Sequence, residues 1–189
     1  MMLRPTVFAL CVLSLAACRD DEAALPSPTA MTAEAVGHYC QMGILEHEGP
    51  KAQAYLEGLP TPLFFSQVRD VVAYMRMPEQ SHVVTVAYVS DMGVPGATWD
   101  NPGPENWINA AAAHYVIGSA VTGGMGTPEI VPFLDRDAAL IFAAANGGDV
   151  MGLADIPDSA VLAPADVGDT AAEEDFLRRL EALSSDEES

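Results

Sequence analysis

The pattern of apolar and polar residues predicts a globular α+β region between about residues 31 and 164. The clearest strand covers residues 82–89, where β-branched and aromatic side chains dominate. One helix is predicted over residues 66–75, with Ser66 as its N-cap. A second helix is predicted from an Asp135 N-cap to residue 145, where Asn146-Gly147-Gly148 ends it.

The predicted helices share a context that suggests an internal repeat. Each follows a short apolar run near a proline, at residues 62–65 and 130–133, and each precedes a candidate strand, at residues 82–89 and 149–153. Two dipeptides also recur, Arg69-Asp70 with Arg136-Asp137 and His38-Tyr39 with His114-Tyr115. A duplication with one insertion or deletion explains these matches, and chance similarity of two dipeptides is the alternative.

The N-terminal segment predicts export and lipid attachment. Residues 1–17 combine the positive charge of Arg4 with an apolar run that is shorter than the roughly 20 residues of a membrane-spanning helix. The segment ends in Leu15-Ala16-Ala17-Cys18, which resembles the lipobox of bacterial lipoproteins. In that family the cysteine is acylated after cleavage, so Cys18 is the expected lipid attachment site and the protein is tethered to a membrane. Ordinary signal-peptidase cleavage is the alternative.

The remaining segments are predicted from composition. Residues 18–30 form a short proline-containing tether, and residues 91–106 form a connecting loop rich in proline and glycine. Residues 165–189 form an acidic tail that we expect to be disordered. The formal net charge of −19 excludes nucleic acids and anionic lipid surfaces as natural partners, and it suits contact with cations or with a basic protein surface.

The cysteine count predicts one free thiol in the mature chain. The chain has three cysteines, of which Cys11 leaves with the signal and Cys18 is expected to carry lipid. Cys40 therefore has no cysteine partner within the mature chain. A free thiol is unusual in an oxidising compartment, and a bound metal is one explanation for it.

The residues around Cys40 include soft metal ligands. If His38-Tyr39-Cys40-Gln41-Met42 is extended, then His38, Cys40 and Met42 project from the same side. Thiolate and thioether groups select Cu(I) among biological metals. The alternative is an ordinary buried strand, because cysteine and methionine are also common core residues.

Other candidate ligands lie further along the chain. Met125 stands between glycines in Thr122-Gly123-Gly124-Met125-Gly126, on permissive backbone that suits either a mobile thioether ligand or a side chain packed in a nearby core. Met92 is a weaker candidate for a further thioether. Whether His38 or His47 binds metal stays open.

Together these motifs resemble the NosL family of exported lipoproteins, which deliver Cu(I) for the maturation of nitrous oxide reductase. The matching motifs run from the lipobox to about residue 164 and comprise His38-Tyr39-Cys40-Gln41-Met42-Gly43, Glu46-His47-Glu48-Gly49-Pro50-Lys51, Phe65-Ser66 with Arg69-Asp70, Tyr88-Val89-Ser90-Asp91-Met92-Gly93 and Gly123-Gly124-Met125-Gly126. Family members commonly read Cys-Gly-Met, and here Gln41 replaces the glycine.

The resemblance implies a fold and partners. The expected fold is two small ββαβ units in tandem, similar to part of the alkylmercury lyases, with residues 31–90 as the first unit and 107–164 as the second. The expected partners are a membrane transporter and a periplasmic solenoid protein of the nitrous oxide reductase maturation machinery. The expected location is the periplasm, on the inner or the outer membrane.

A Cu(I) chaperone has two alternatives, an enzyme and a metal-free interaction protein. Carbon–metal bond cleavage needs paired thiols, and only Cys40 is expected to be available. A thiol peroxidase needs a thiol activated by basic neighbours or by a helix N-terminus, and the sequence around Cys40 offers His38 and otherwise acids, so we expect no enzyme activity. A metal-free tethered interaction protein, which docks a partner through the loop around Trp99 and the acidic tail, is the main alternative.

Overall fold

The computed structural model describes residues 24–78, 82–162 and Arg178. The predicted signal at residues 1–17, Cys18 and the predicted acidic tail apart from Arg178 lie outside the described residues. Within the described part, no helix is both long enough and apolar enough to cross a membrane.

The first sheet is antiparallel and carries one helix. Its strands lie in the order β2-β1-β3-β4, so the first strand in sequence is a central one. The elements are β1 (Ala52–Leu56), β2 (Leu63–Phe65), α1 (Val68–Arg76), β3 (Val84–Val89) and β4 (Ile108–Asn109). Val68, Val71 and Val72 of α1 are buried, and this i, i+3, i+4 spacing gives the helix one apolar face against the sheet.

The second sheet repeats the same order of elements. Its strands lie in the order β6-β5-β7, again antiparallel with the first strand in the centre. The elements are β5 (His114–Ile117), β6 (Val131–Phe133), α2 (Arg136–Asn146), β7 (Asp149–Gly152) and a short α3 (Asp158–Val161). Asp135 caps α2 by accepting a 2.7 Å hydrogen bond from the amide of Asp137, and Gly147 ends the helix with φ = 78°.

The prediction of a mixed α+β fold is confirmed, with two antiparallel sheets. The matched His-Tyr dipeptides are not equivalent, however. His38-Tyr39 lies in a turn ahead of β1, whereas His114-Tyr115 opens β5. That part of the repeat argument was wrong, and duplication stays a prediction. β4, which falls within the predicted second unit (107–164), pairs with β3 of the first sheet.

One apolar core joins the two sheets. Val71 and Val72 of α1 share a cluster with Tyr115 of β5 and with Val161 of α3. A smaller cluster under α2 contains Val116, Val131, Phe133 and Ala139. Because the larger cluster draws on both sheets, burial of apolar surface there stabilises them as a unit.

The C-terminal half of the predicted tether is bound to the first sheet. The backbone of Thr29 exchanges two 2.9 Å hydrogen bonds with the Gln53 side chain. The hydroxyl groups of Tyr55 and Tyr88 donate to the carbonyl oxygens of Ser27 and Pro26 at 2.8 and 2.7 Å. Residues 26–29 are therefore part of the folded domain.

Candidate metal centre

Cys40 lies in a tight turn at the edge of the first sheet. The Gln41 amide donates to the Gly37 carbonyl at 2.9 Å, and the Gly37 amide donates to the Met42 carbonyl at 2.9 Å. The His38 amide donates to the Phe64 carbonyl at 2.7 Å, which attaches the turn to β2. The prediction that alternate side chains project from one face of a strand is therefore wrong, because the backbone closes on itself here.

The turn depends on an unusual backbone conformation at Gln41. Its φ of 56° is in the left-handed region, and Gln41 is the only residue other than glycine with positive φ in the described part of the chain. The side chain offsets some of this strain, because its Nε2 donates to the His38 carbonyl at 2.6 Å. A glycine at this position, as in the Cys-Gly-Met pattern, meets the same backbone requirement without a side chain.

The sulfur of Cys40 is half-buried and points at Ser66. Its Sγ lies 3.1 Å from the Ser66 Oγ. A Cβ atom built at Gly37 would lie 2.5 Å from that sulfur and 2.9 Å from the hydroxyl, so glycine is required there for space. Ser66 therefore supports the thiol. The prediction that Ser66 is the N-cap of α1 is wrong. The N-cap is Gln67, whose side chain makes no capping hydrogen bond.

An aromatic cluster supports the outer side of the turn. The His38 ring packs against Tyr39, Phe65 and Tyr74 with centroid separations of 5.0, 5.6 and 5.3 Å. The Tyr39 hydroxyl donates to the Met77 Sδ at 3.7 Å. Burial raises the pKa of the Tyr39 phenol, with smaller contributions from nearby acidic groups.

Two candidate thioether ligands are accessible. The side chains of Met42 and Met125 are each 43% exposed. Met42 follows Cys40 in the turn, and Met125 lies at the tip of the glycine-rich loop. A Cβ atom at Gly124 would lie 2.8 Å from the His47 Cβ and from the Glu48 amide nitrogen, so this loop packs closely on the segment that follows the turn.

The same loop also reaches the start of α1. The Gln67 Nε2 donates to the Thr127 Oγ1 at 3.0 Å. Gln67 directly follows Ser66, which contacts the Cys40 sulfur. The Cys40 turn and the Met125 loop therefore contact adjacent residues ahead of α1, Ser66 and Gln67 respectively.

The other candidates are placed differently. Met92 is half-buried and packs against the smaller cluster under α2, while its amide donates to the Pro132 carbonyl at 2.9 Å. The His47 Nε2 is buried without a hydrogen-bond partner in the described part of the chain. Residues 24–78 and 82–162 contain no cluster of three or more histidine, cysteine or carboxylate side chains that could hold a metal ion.

Sequence reasoning missed two buried titratable residues, Lys51 and Glu129. Lys51, the only lysine of the chain, and Glu129 are each 1% exposed. The Lys51 Nζ donates to the carbonyl oxygens of Glu48 and Gly49 at 2.9 and 2.6 Å. Burial lowers the pKa of Lys51 to about 8 and raises the pKa of Glu129 to about 8. A single lysine in a strongly acidic chain, directly before an apolar strand, was the available signal.

A known protein family matches the part of the chain that contains the candidate site. The profile of the NosL family matches residues 28–161, a range that includes the Cys40 turn, the Met125 loop and both sheets. The chain belongs to the NosL family. The resemblance inferred from the sequence is thereby confirmed.

Two curated NosL proteins are similar to this chain. The copper-binding lipoprotein NosL of Achromobacter cycloclastes is 56% identical over 183 residues, which cover 96% of this chain and 95% of that protein. The copper-binding lipoprotein NosL of Stutzerimonas stutzeri is 32% identical over 125 residues, which cover 66% of this chain and 63% of that protein.

The fold is also that of a solved NosL structure. The crystal structure of the copper chaperone NosL from Shewanella denitrificans has a TM-score of 0.65 and 31% identity, covering 70% of this chain and 97% of that one. These relatives are described as copper-binding and chaperone proteins and not as enzymes, which confirms the prediction that this NosL protein is not an enzyme.

Proposed function

We propose that this NosL protein is a Cu(I) metallochaperone with the Cys40 thiolate as the anchoring ligand. The observation that carries the proposal is the position of the Cys40 sulfur. It is half-buried against Ser66, two residues in sequence from the exposed side chain of Met42, and Ser66 directly precedes Gln67, which holds the Met125 loop. Soft sulfur donors favour Cu(I), and its small coordination number fits one thiolate with one or two thioethers.

Met42 and Met125 are the proposed thioether ligands, with Met92 as a weaker candidate. The exposed side chains of Met42 and Met125 can approach a metal from solvent without unfolding the core. Met92 already packs in an apolar cluster, and its thioether would have to leave that cluster to bind copper. Neutral thioethers also permit release, since each can be replaced by a ligand of the recipient while the thiolate holds the ion.

The proposed location and recipient follow from the N-terminal motif and from the family. Acylation at Cys18 would tether the protein to a membrane surface in the periplasm, and the name lipoprotein of the two curated relatives supports this. There it would deliver copper for the copper sites of nitrous oxide reductase, together with a membrane transporter and a periplasmic solenoid protein. Apo-reductase activity regained after incubation with the loaded chaperone would measure delivery.

The test of copper binding is a competition titration of the purified domain against a bidentate Cu(I) chelator. Wild-type protein is expected to bind one Cu(I), and Cys40→Ser is expected to lose tight binding because a neutral hydroxyl replaces a soft anion. Met42→Ala and Met125→Ala should weaken binding less. Met77→Ala is the control for a thioether of similar exposure, 40%, that is not a proposed ligand, and Tyr39→Phe controls for the loss of the hydrogen bond between Tyr39 and Met77.

The titration also separates the alternatives. Tight binding by Cys40→Ser would refute the thiolate assignment, and an equal loss in Met77→Ala would refute the choice of thioethers. If the wild-type protein binds no Cu(I), the metal-free tethered interaction protein becomes the better account.

A further inference from the structure

The carboxyl group of Glu129 connects the segment after Met125 to the N-terminus of α1. Its Oε1 accepts hydrogen bonds from the backbone amides of Val68 and Arg69 at 3.2 and 3.4 Å. These amides open the helix, and the side chain of the N-cap residue Gln67 does not cap it. Because the first amides of a helix have no partner within the helix, Glu129 supplies an acceptor that the local sequence lacks.

A second link joins Gln67 to Thr127. The Gln67 Nε2 donates to the Thr127 hydroxyl at 3.0 Å, and that hydroxyl donates to the Gln67 Oε1 at 3.2 Å. Gln67 is buried, and hydrogen bonds are stronger in such a low-dielectric environment than in water. Thr127 lies two residues after Met125, so this pair holds the C-terminal side of the loop.

The N-terminal side of the loop lies directly on the same two side chains. A Cβ atom built at Gly123 would lie 2.2 Å from the Gln67 Nε2 and 2.5 Å from the Glu129 Oε2. No other residue type fits at this position without displacing one of these groups. The backbone on both sides of Met125 is therefore set by Gln67 and Glu129.

The protonation state of Glu129 suits this role. Burial raises its pKa to about 8, although the amides of Ile130 and Arg69 favour the ionised form. Burial thus favours the neutral acid, whose carbonyl oxygen accepts from the helix amides. Glutamine presents the same acceptor, whereas leucine has a similar volume and no acceptor.

We propose that Glu129 and Gln67 are positioning residues. They fix the Met125 loop against the start of α1, so that its thioether can bind the same copper ion as the Cys40 sulfur. The inference rests on the proposed function, in which both sulfurs bind Cu(I). Ser66, which contacts the Cys40 sulfur, directly precedes Gln67. One helix start therefore organises both ligands, one through Ser66 and the other through Gln67 and Glu129.

The test measures the rate at which loaded protein releases Cu(I) to a bidentate chelator, by stopped-flow absorbance. Thr127→Val removes the hydroxyl that pairs with Gln67, and Glu129→Leu removes the acceptor for the helix amides. Thr127→Val should raise the release rate about fivefold, the factor expected for one net hydrogen bond. Glu129→Leu should raise it further, because its carboxyl oxygen accepts from the amides of Val68, Arg69 and Ile130. Thr127→Ser and Glu129→Gln keep the hydroxyl and the carbonyl, and should restore the wild-type rate.

A double-mutant cycle separates positioning from general stabilisation. If the two contacts act through Met125, then Thr127→Val and Glu129→Leu change nothing further in a Met125→Ala background. Faster release in both backgrounds would mean a purely structural role and would overturn the proposal. If Glu129→Leu does not fold, Thr127→Val alone completes the cycle, because Thr127 is only half-buried.

The outcomes also distinguish this inference from the proposed function. If Met125→Ala releases copper at the wild-type rate, Met125 is not a ligand, and the proposed ligand set and the positioning role are both refuted. If Met125→Ala releases copper faster while Thr127→Val and Glu129→Leu do not, the ligand set stands and the positioning role is refuted.

Discussion

The backbone of Gln41 has a φ of 56°, which costs about 1–2 kcal/mol for residues other than glycine. The hydrogen bond from the Gln41 side chain to the His38 carbonyl offsets part of this cost. The substitution of glutamine for the family's glycine therefore keeps the geometry of the turn that presents Cys40 and Met42. The cost of that geometry can be measured at this one position.

We expect a graded series of stabilities at position 41. Gln41→Gly should be nearly neutral, since it removes both the strain and the compensating hydrogen bond. Gln41→Val should lower the free energy of unfolding by about 1–2 kcal/mol, because a β-branched residue at positive φ is strained and cannot make the bond. Urea denaturation measures the series, with Gln41→Asn as a control that tolerates this conformation. Equal stability of the glycine and valine variants would contradict the account.

Glu129 should make stability depend on pH. Its pKa is raised from 4.5 to about 8, so between these values the native state holds a proton that the unfolded chain has lost. The free energy of unfolding therefore falls as pH rises through this window, by up to about 1.4 kcal/mol per pH unit. Lys51 acts in the opposite direction above pH 8. Its pKa is lowered from 10.5 to about 8, so the free energy of unfolding rises with pH between these values.

Glu129→Gln isolates this effect. Its free energy of unfolding should vary less between pH 4.5 and 8 than that of the wild type, since glutamine does not titrate. Asp70, whose pKa burial raises to about 6, contributes to both proteins and cancels in the comparison. Chemical denaturation at a series of pH values gives the two slopes, and equal slopes would show that Glu129 is not a buried acid of raised pKa.

Among the elements, those with local signals were predictable from the sequence. Asp135 and Gly147 lie at the two ends of α2 as expected, because a side-chain cap and a terminal glycine are next in sequence to the helix that they end. The start of α1 was missed for the opposite reason, since its acceptor Glu129 lies 61 residues from Val68 in sequence. The Cys40 turn was missed because a positive φ at glutamine has no sequence signal.

The two helix starts therefore make a testable contrast. Asp135→Ala should lower the free energy of unfolding by about 1 kcal/mol, because it removes the acceptor for the Asp137 amide. Asp135→Ser, which keeps a capping oxygen, should recover most of this loss. Thermal denaturation measures both variants. No loss in Asp135→Ala would show that α2 does not depend on its cap.

At the scale of the whole molecule, the sequence predicted the fold class but not how the sheets combine. The apolar pattern indicated both helices and the strands β3 and β7 close to their observed positions, whereas β1 and β5, the central strands of the two sheets, were not predicted. The shared core was not visible, because a cluster that contains residues of both α1 and β5 depends on packing between distant segments. In the candidate site, Cys40 and the methionines were recognisable from ligand chemistry, whereas Ser66, Gln67 and Glu129 became evident only from their hydrogen bonds.

Membrane attachment is a prediction for the whole chain. Mass spectrometry of protein extracted from membranes should show a mature form that begins at Cys18 and carries three acyl chains, since Leu15-Ala16-Ala17-Cys18 resembles a lipobox. Cys18→Ala is the control and should release the protein from the membrane fraction. An unmodified wild-type chain in the soluble periplasmic fraction would refute lipid attachment.

X-ray absorption at the copper edge of the Cu(I)-loaded protein tests the central claim most directly. We expect sulfur scatterers near about 2.3 Å, the length of comparable metal–thiolate bonds, and fewer of them in Met42→Ala and Met125→Ala. The Met77→Ala spectrum should match that of the wild type. A first shell made only of nitrogen and oxygen, or one that is unchanged in Cys40→Ser, would contradict a copper site built on the Cys40 thiolate and its neighbouring thioethers.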